Sequence, residues 1–150
     1  MICAENTIDW AALAQSWIGT PYVHQASAKG AGCDCLGLIR GMWREVYGQE
    51  PEAVPAYTPD WSEPQRDERL WRAASAHLVA KDLADQARGD VILFRMRNGA
   101  VAKHLGVKAG SAARPTFIHA YTGHGVVESP FSAPWQRRVV ACFEFPKEAL

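Results

Sequence analysis

The sequence predicts an α+β fold, with N-terminal helices packed on a C-terminal antiparallel sheet. Three observations carry this. Apolar residues recur at helical spacing up to about Leu78. From Arg88 onward, short apolar runs alternate with Gly, Pro and Ser. The helices precede the strands and do not alternate with them, which argues against a βαβ arrangement.

The first helix places Trp10, Leu13, Ala14 and Trp17 on one face after Asn6 or Thr7 as N-cap, and Gly19 and Pro21 end it. The second is marked more sharply. Asp34 is an N-cap type, Gly48 a C′ glycine, and Cys35, Ile39, Met42 and Val46 share one face, so Cys35 is the first helical residue. Residues 49–64 carry Pro51, Pro55, Pro59 and Pro64 together with Val54, Tyr57 and Trp61, the texture of an irregular connection inside one domain. A third helix places Leu70, Ala73, Ala74, His77 and Leu78 on one stripe. Strands are then expected at VILF, LGV, FIHAY, GVV and VVACFEF, with Asn98-Gly99 as a hairpin signal.

The chain has 150 residues, 16 Lys+Arg against 16 Asp+Glu, and 48% hydrophobic residues. That suits a single domain over residues 1–150 with an ordinary core. Zero net charge excludes a broad electrostatic footprint for nucleic acid or anionic membrane. No apolar run approaches the ~18 residues of a membrane span, so membrane insertion is not expected. The N-terminus lacks the basic and apolar regions of a cleaved signal, so synthesis in the cytoplasm without Sec export is expected.

Four cysteines, Cys3, Cys33, Cys35 and Cys142, are too few for a disulfide framework in a chain of this length. Cys142 reads as a small buried hydrophobe and Cys33 as structural or incidental, while Cys3, near the terminus, carries no information. Cys35 differs. A thiol at a helix N-terminus faces backbone N–H groups and the positive end of the macrodipole, which lower its pKa and can hold an oxyanion. Two histidines add to this. In strand register His104 points opposite to Leu105 and Val107, and His119 shares a face with Phe117 and Tyr121. Neighbouring strands can thus present both imidazoles together, one to take the thiol proton and one to orient the first. A zinc site from Cys33, Cys35, His104 and His119 is a competing reading, weakened because Cys-x-Cys is tighter than the usual zinc pair. A redox role is weaker still, because the thioredoxin-type Cys-x-x-Cys is absent. No cofactor is implied.

Four segments in order carry a resemblance: Gly19-Thr20-Pro21-Tyr22; Gly32 through Leu38, GCDCLGL; Arg88 through Phe94, RGDVILF; and His104-Leu105-Gly106-Val107. Phe117-Ile118-His119-Ala120 continues it. The chain resembles the NlpC/P60 family of papain-like cysteine peptidases over about residues 7–146. The resemblance implies helices followed by an antiparallel sheet, and cleavage of peptidoglycan stem peptides beside D-glutamate, often at its γ-linked bond to a diamino acid. It implies Cys35 as nucleophile, His104 as general base and acid, and His119 as the residue orienting His104. Tyr22 matches a tyrosine linked to substrate or oxyanion contacts. Asp34 matches the acidic neighbour of the nucleophile, with N-capping as its main task.

Where the family has Gly-Gly after the tyrosine and Ser after the nucleophile, this chain has His24-Gln25 and Leu36. With GMWREVYG and VVESPF, these features resemble the branch found in phage tail clusters and gene transfer agents. That branch implies particle proteins as partners, and action at the cell wall from a virion-like particle or after lysis. A non-catalytic tail-like structural or wall-binding component is the alternative, against which the complete Cys35, His104 and His119 set argues. His77 is expected at the core edge, His124 in a turn and Glu128 on a solvated strand; His24 lines either the cleft or the surface.

Overall fold

The computed structural model describes residues 8–51, 54, 56, 57 and 67–147. Helices α1 (Trp10–Gln15), α2 (Cys35–Tyr47) and α3 (Arg69–His77) lie mostly ahead of the strands. Strands β1 (Ser27–Ala28) and β2 (Gly32–Cys33) form a small hairpin before α2. Strands β3 (Val79–Lys81), β4 (Val91–Arg95), β5 (Ala102–Gly110), β6 (Pro115–Tyr121), β7 (Gly125–Pro130) and β8 (Val139–Glu144) follow, with the short helix α4 (Ala133–Gln136) before β8. The main sheet has the order β3-β8-β4-β5-β6-β7, and its pairs are antiparallel. The expected α+β architecture is therefore the observed one.

The sheet is apolar on both faces. Val91, Leu93, Leu105, Val107, Ile118 and Ala120 pack under the helices against Ala14, Trp17, Leu38, Met42 and Leu70. Ile92, Phe94 and Phe117 point the other way, to Phe131, Trp135 and Val139. Period-two alternation produces this division. Leu38 and Met42 are fully buried, and each contributes roughly 1.5–3 kcal/mol by leaving water. They fix α2 to the sheet and so fix where its first residue stands.

The N-terminus of α2 is held on two sides. Asp34 caps it, its Oδ1 accepting from the Gly37 N–H at 2.7 Å. Gly37 also lets the preceding loop close in, because a Cβ there would stand 1.9 Å from the Ala26 carbonyl oxygen. Gly48, at φ +94°, ends the helix as expected.

Several boundaries differ from the sequence reading. The cap of α1 is Asp9, whose side chain accepts from the Ala12 N–H at 3.0 Å; Asn6 and Thr7, like Cys3 and Trp61, lie outside the described residues. The α-helix stops at Gln15, so Trp17 reaches the core from the turn that follows. Asn98-Gly99 sits in a connection spanning 96–101, wider than a two-residue hairpin. A bulge at Phe94/Arg95 and the Arg95 side chain, bonded to the Ala100 carbonyl, open it. The hairpin β1–β2, edge strand β3 and helix α4 are each too short to carry a periodic signal.

Candidate active site

Cys35 begins α2, and its Sγ lies 3.8 Å from the Lys103 carbonyl oxygen, to which the thiol donates. The Leu105 N–H also lies close enough to stabilise a thiolate, as does the Leu36 N–H. The sulfur thus rests against β5 on either side of His104. On β5 and β6 the two histidines meet: Nε2 of His104 and Nδ1 of His119 are 2.7 Å apart. Their strand neighbour Gly106 leaves room for this, since a Cβ there would come within 2.8 Å of the Phe117 ring and 3.5 Å of His119 Cβ. The structure therefore joins His104 to His119 and sets the Cys35 sulfur against the β5 backbone on either side of His104. No hydrogen bond joins Cys35 Sγ to the His104 ring among the described residues, and His104 Nδ1 carries none. Because no fully enclosed side-chain nitrogen or oxygen lacks a partner, Nδ1 keeps contact with solvent.

The residue model for the "NlpC/P60 family" matches residues 19–144, a span containing every one of these side chains. The chain belongs to the NlpC/P60 family. Its fold is similar to that of an NLP/P60 family protein of Staphylococcus aureus, described as similar to lipoprotein (TM-score 0.60, 18% identity, 96% of this chain and 42% of that one). It is also similar to an NlpC/P60 family protein of Bacillus cereus (TM-score 0.62, 19% identity, 91% of this chain and 39% of that one). The NlpC/P60 domain of the peptidoglycan hydrolase SagA matches with TM-score 0.60 and 19% identity, over 91% of this chain and 97% of that one. The chain thus spans about two fifths of the length of the first two proteins. At these identities the likeness establishes the fold. No curated protein matches the chain.

In this NlpC/P60 chain the remaining candidates sort by contact. Tyr22 is half-buried, and its hydroxyl sits beside the Thr122 side chain and within electrostatic reach of Cys35. Burial raises its pKa, so it stays a protonated donor. Asp34 is buried. Its Oδ2 accepts from the Gln25 N–H at 2.7 Å and from the Tyr57 hydroxyl, while Oδ1 holds Gly37. Those bonds run to the fold, so Asp34 sets the position of Cys35. The Gln25 bond holds that residue at φ 65°, a conformation costing on the order of 1–3 kcal/mol off glycine. His24 Nε2 contacts the Tyr57 carbonyl at 3.0 Å, and its Nδ1 lies 3.7 Å from Asp34 Oδ2. His24 therefore belongs to the wall behind the nucleophile.

His124 lies exposed in the turn after β6, its ring stacked on Tyr121 at 5.3 Å. Glu128 is exposed and accepts from Thr116 and Gln15. His77 is half-buried at the end of α3, and Cys33 is fully buried.

Electrostatics corrects one expectation. The Cys35 thiol is pushed up to about 12, first by burial and then by the Asp34 charge, and the helix-start N–H groups offset only part of this. His104 is pushed down to about 3 and His119 to about 4, again chiefly by burial. Phe94, Phe117, Tyr121 and Trp135 surround the two rings. The resting site thus holds a neutral thiol and neutral imidazoles, where the sequence suggested an acidic thiol. A helix terminus favours the thiolate, but a largely desolvated anion beside a carboxylate costs more than that terminus returns.

Among the described residues no group of three or more His, Cys, Asp and Glu side chains is arranged to hold a metal. Nε2 of His104 and Nδ1 of His119 are spent on each other.

One partner of the pair escaped the sequence reading. Ser129 Oγ, on β7, lies 2.9 Å from His119 Nε2. Its signal was the strand parity that puts Ser129 opposite Phe117, on the face His119 shares.

Proposed function

We propose that this domain is a cysteine endopeptidase of peptidoglycan stem peptides, cleaving beside D-glutamate at the γ-D-Glu–diamino acid bond. The observation that carries the reading is the placement of a helix-start thiol against the strand backbone flanking His104, with His104 held by His119 at 2.7 Å. Family membership supports the reaction class, and the peptidoglycan hydrolase among the similar structures supports the substrate.

In this mechanism Cys35 turns from the Lys103 carbonyl toward His104. Its proton passes to Nδ1 of His104 as sulfur attacks the scissile carbonyl. The developing oxyanion is met by the Tyr22 hydroxyl and an N–H of the α2 start. His104 returns the proton to the leaving amine, and water, activated by the same nitrogen, hydrolyses the thioester. His119 holds the His104 ring throughout, and Asp34 keeps the helix start in register.

The domain has zero net charge, so long-range attraction to an anionic wall is absent. With the His24-Gln25 and Leu36 features, this supports delivery by a phage-tail or gene-transfer-agent particle, or release on lysis. Digestion of purified muropeptides with mass analysis tests the assignment. New termini beside D-glutamate, absent with Cys35→Ala, are expected. Cleavage confined to the muramic acid–L-alanine amide would replace it with an amidase. Strong binding of the free domain to intact sacculi would count against delivery by a carrier.

The thiol's hydrogen bond to Lys103, in place of His104, favours a second reading: a non-catalytic wall-binding component. Stem-peptide binding equal in wild type and Cys35→Ala, without cleavage by either, would select it.

A further inference from the structure

We infer that Ser129 is a positioning residue that sets the proton arrangement of the histidine pair; this rests on the peptidase reading above. The argument is an inventory of protons. A neutral imidazole has one N–H and one bare nitrogen. To accept the thiol proton at Nδ1, His104 must carry its hydrogen on Nε2. That hydrogen can point only at His119 Nδ1, 2.7 Å away, so His119 must carry its own hydrogen on Nε2. The partner of that nitrogen is Ser129 Oγ, at 2.9 Å. The productive chain of donors is therefore His104 Nε2–H to His119 Nδ1, then His119 Nε2–H to Ser129 Oγ.

The opposite arrangement uses the same contacts with each hydrogen reversed. His119 Nδ1–H then donates to His104 Nε2, and His104 carries its hydrogen on Nδ1, where it blocks the thiol proton. The Ser129 hydroxyl can satisfy His119 Nε2 in either arrangement, so it permits the productive one; without it the surroundings decide between the two. His119 is 1% exposed, between Phe117, Tyr121 and Trp135. An N–H aimed into such a site without an acceptor is costlier than a bare lone pair. Remove the Ser129 hydroxyl, and His119 moves its hydrogen to Nδ1, where His104 accepts it; His104 is then left in the unproductive form. One proton moves during catalysis, from Cys35 to His104 Nδ1, and the rest of the chain only holds the acceptor open.

The test reads tautomers directly. Imidazole nitrogen NMR of the ¹⁵N-labelled chain at pH 7.5 is expected to show both histidines protonated at Nε2. In Ser129→Ala, His119 and His104 are expected to shift toward Nδ1–H. The kcat should fall about five- to tenfold, the worth of one hydrogen bond, with KM unchanged. Ser129→Thr, which keeps a hydroxyl, should restore both readouts. A His119 hydrogen on Nδ1 in the wild type, or unmoved tautomers in Ser129→Ala, would overturn the assignment. The spectra need no substrate, so a wild-type protein that turns over no stem peptide would instead overturn the peptidase reading.

Discussion

Nε2 of His104 and Nδ1 of His119 lie 2.7 Å apart, and this contact makes the two imidazoles unequal. Only the nitrogens left over define a role. For His104 it is Nδ1, which has no hydrogen bond among the described residues; for His119 it is Nε2, engaged by Ser129. His104→Ala is therefore expected to lower kcat by at least ~10²–10⁴-fold, the usual contribution of a general acid–base. His119→Asn, whose amide can still accept from His104, should retain more activity than His119→Ala. Steady-state rates on an isolated stem peptide check this, and equal losses in His119→Asn and His104→Ala would remove the orienting role.

The same burial links the pair to stability. Both histidines are pushed below their ordinary value of 6.5, to about 3 and about 4. The unfolded chain takes up these protons at higher pH than the folded one, so stability is complete above pH 6.5 and falls as pH drops toward 4. Each histidine costs about 1.4 kcal/mol per pH unit inside that window. Urea unfolding at pH 7 and pH 5 should show the drop, and His119→Gln should lose one proton's share of it. A slope unchanged by that substitution would mean the proton uptake lies elsewhere.

The neutral resting thiol has a spectroscopic consequence. With Cys35 pushed up to about 12, the wild type and Cys35→Ser should have the same thiolate absorbance near 240 nm at pH 7 and separate only above about pH 10. Iodoacetamide labelling near pH 6 should be slow. It should still favour Cys35, at 6% exposure, over Cys33 and Cys142, at 0% and 1%. A thiolate band at neutral pH would instead show a preformed thiolate–imidazolium pair.

The legible parts of this molecule were those written as periodicity or caps. Asp34 and Gly48 bracket α2 as their residue types require, and strand parity allowed His104 and His119 to share one face. The thiol's pKa was not legible, because it depends on how closely the fold seals Cys35, and no local pattern encodes that. Ser129 escaped for a related reason. Its significance lies in the register of β6 against β7, where Phe117 faces Ser129. The commitment of Asp34 to Gln25 and Tyr57 likewise depends on a contact across the proline-rich connection, which sequence spacing does not set.

Asp34 links these themes, because its charge opposes the chemistry that its hydrogen bonds support. It raises the Cys35 pKa, second only to burial. It also accepts from Gly37, Gln25 and Tyr57, so removing it leaves three donors without their acceptor. Asp34→Asn removes the charge and keeps the shape. The thiol should then ionise at lower pH and label faster at pH 8. The amide offers a single acceptor oxygen, and its NH₂ faces a second donor, so stability should fall. A lost helix cap costs about 0.5–2 kcal/mol, and an unsatisfied buried partner adds about 1–3 kcal/mol. Asp34→Ala should lose more stability than Asp34→Asn. Thermal unfolding and alkylation rates on both variants measure the two effects separately. If the thiol labels no faster in Asp34→Asn than in wild type, burial alone holds the sulfur neutral, and the Asp34 charge contributes nothing to it.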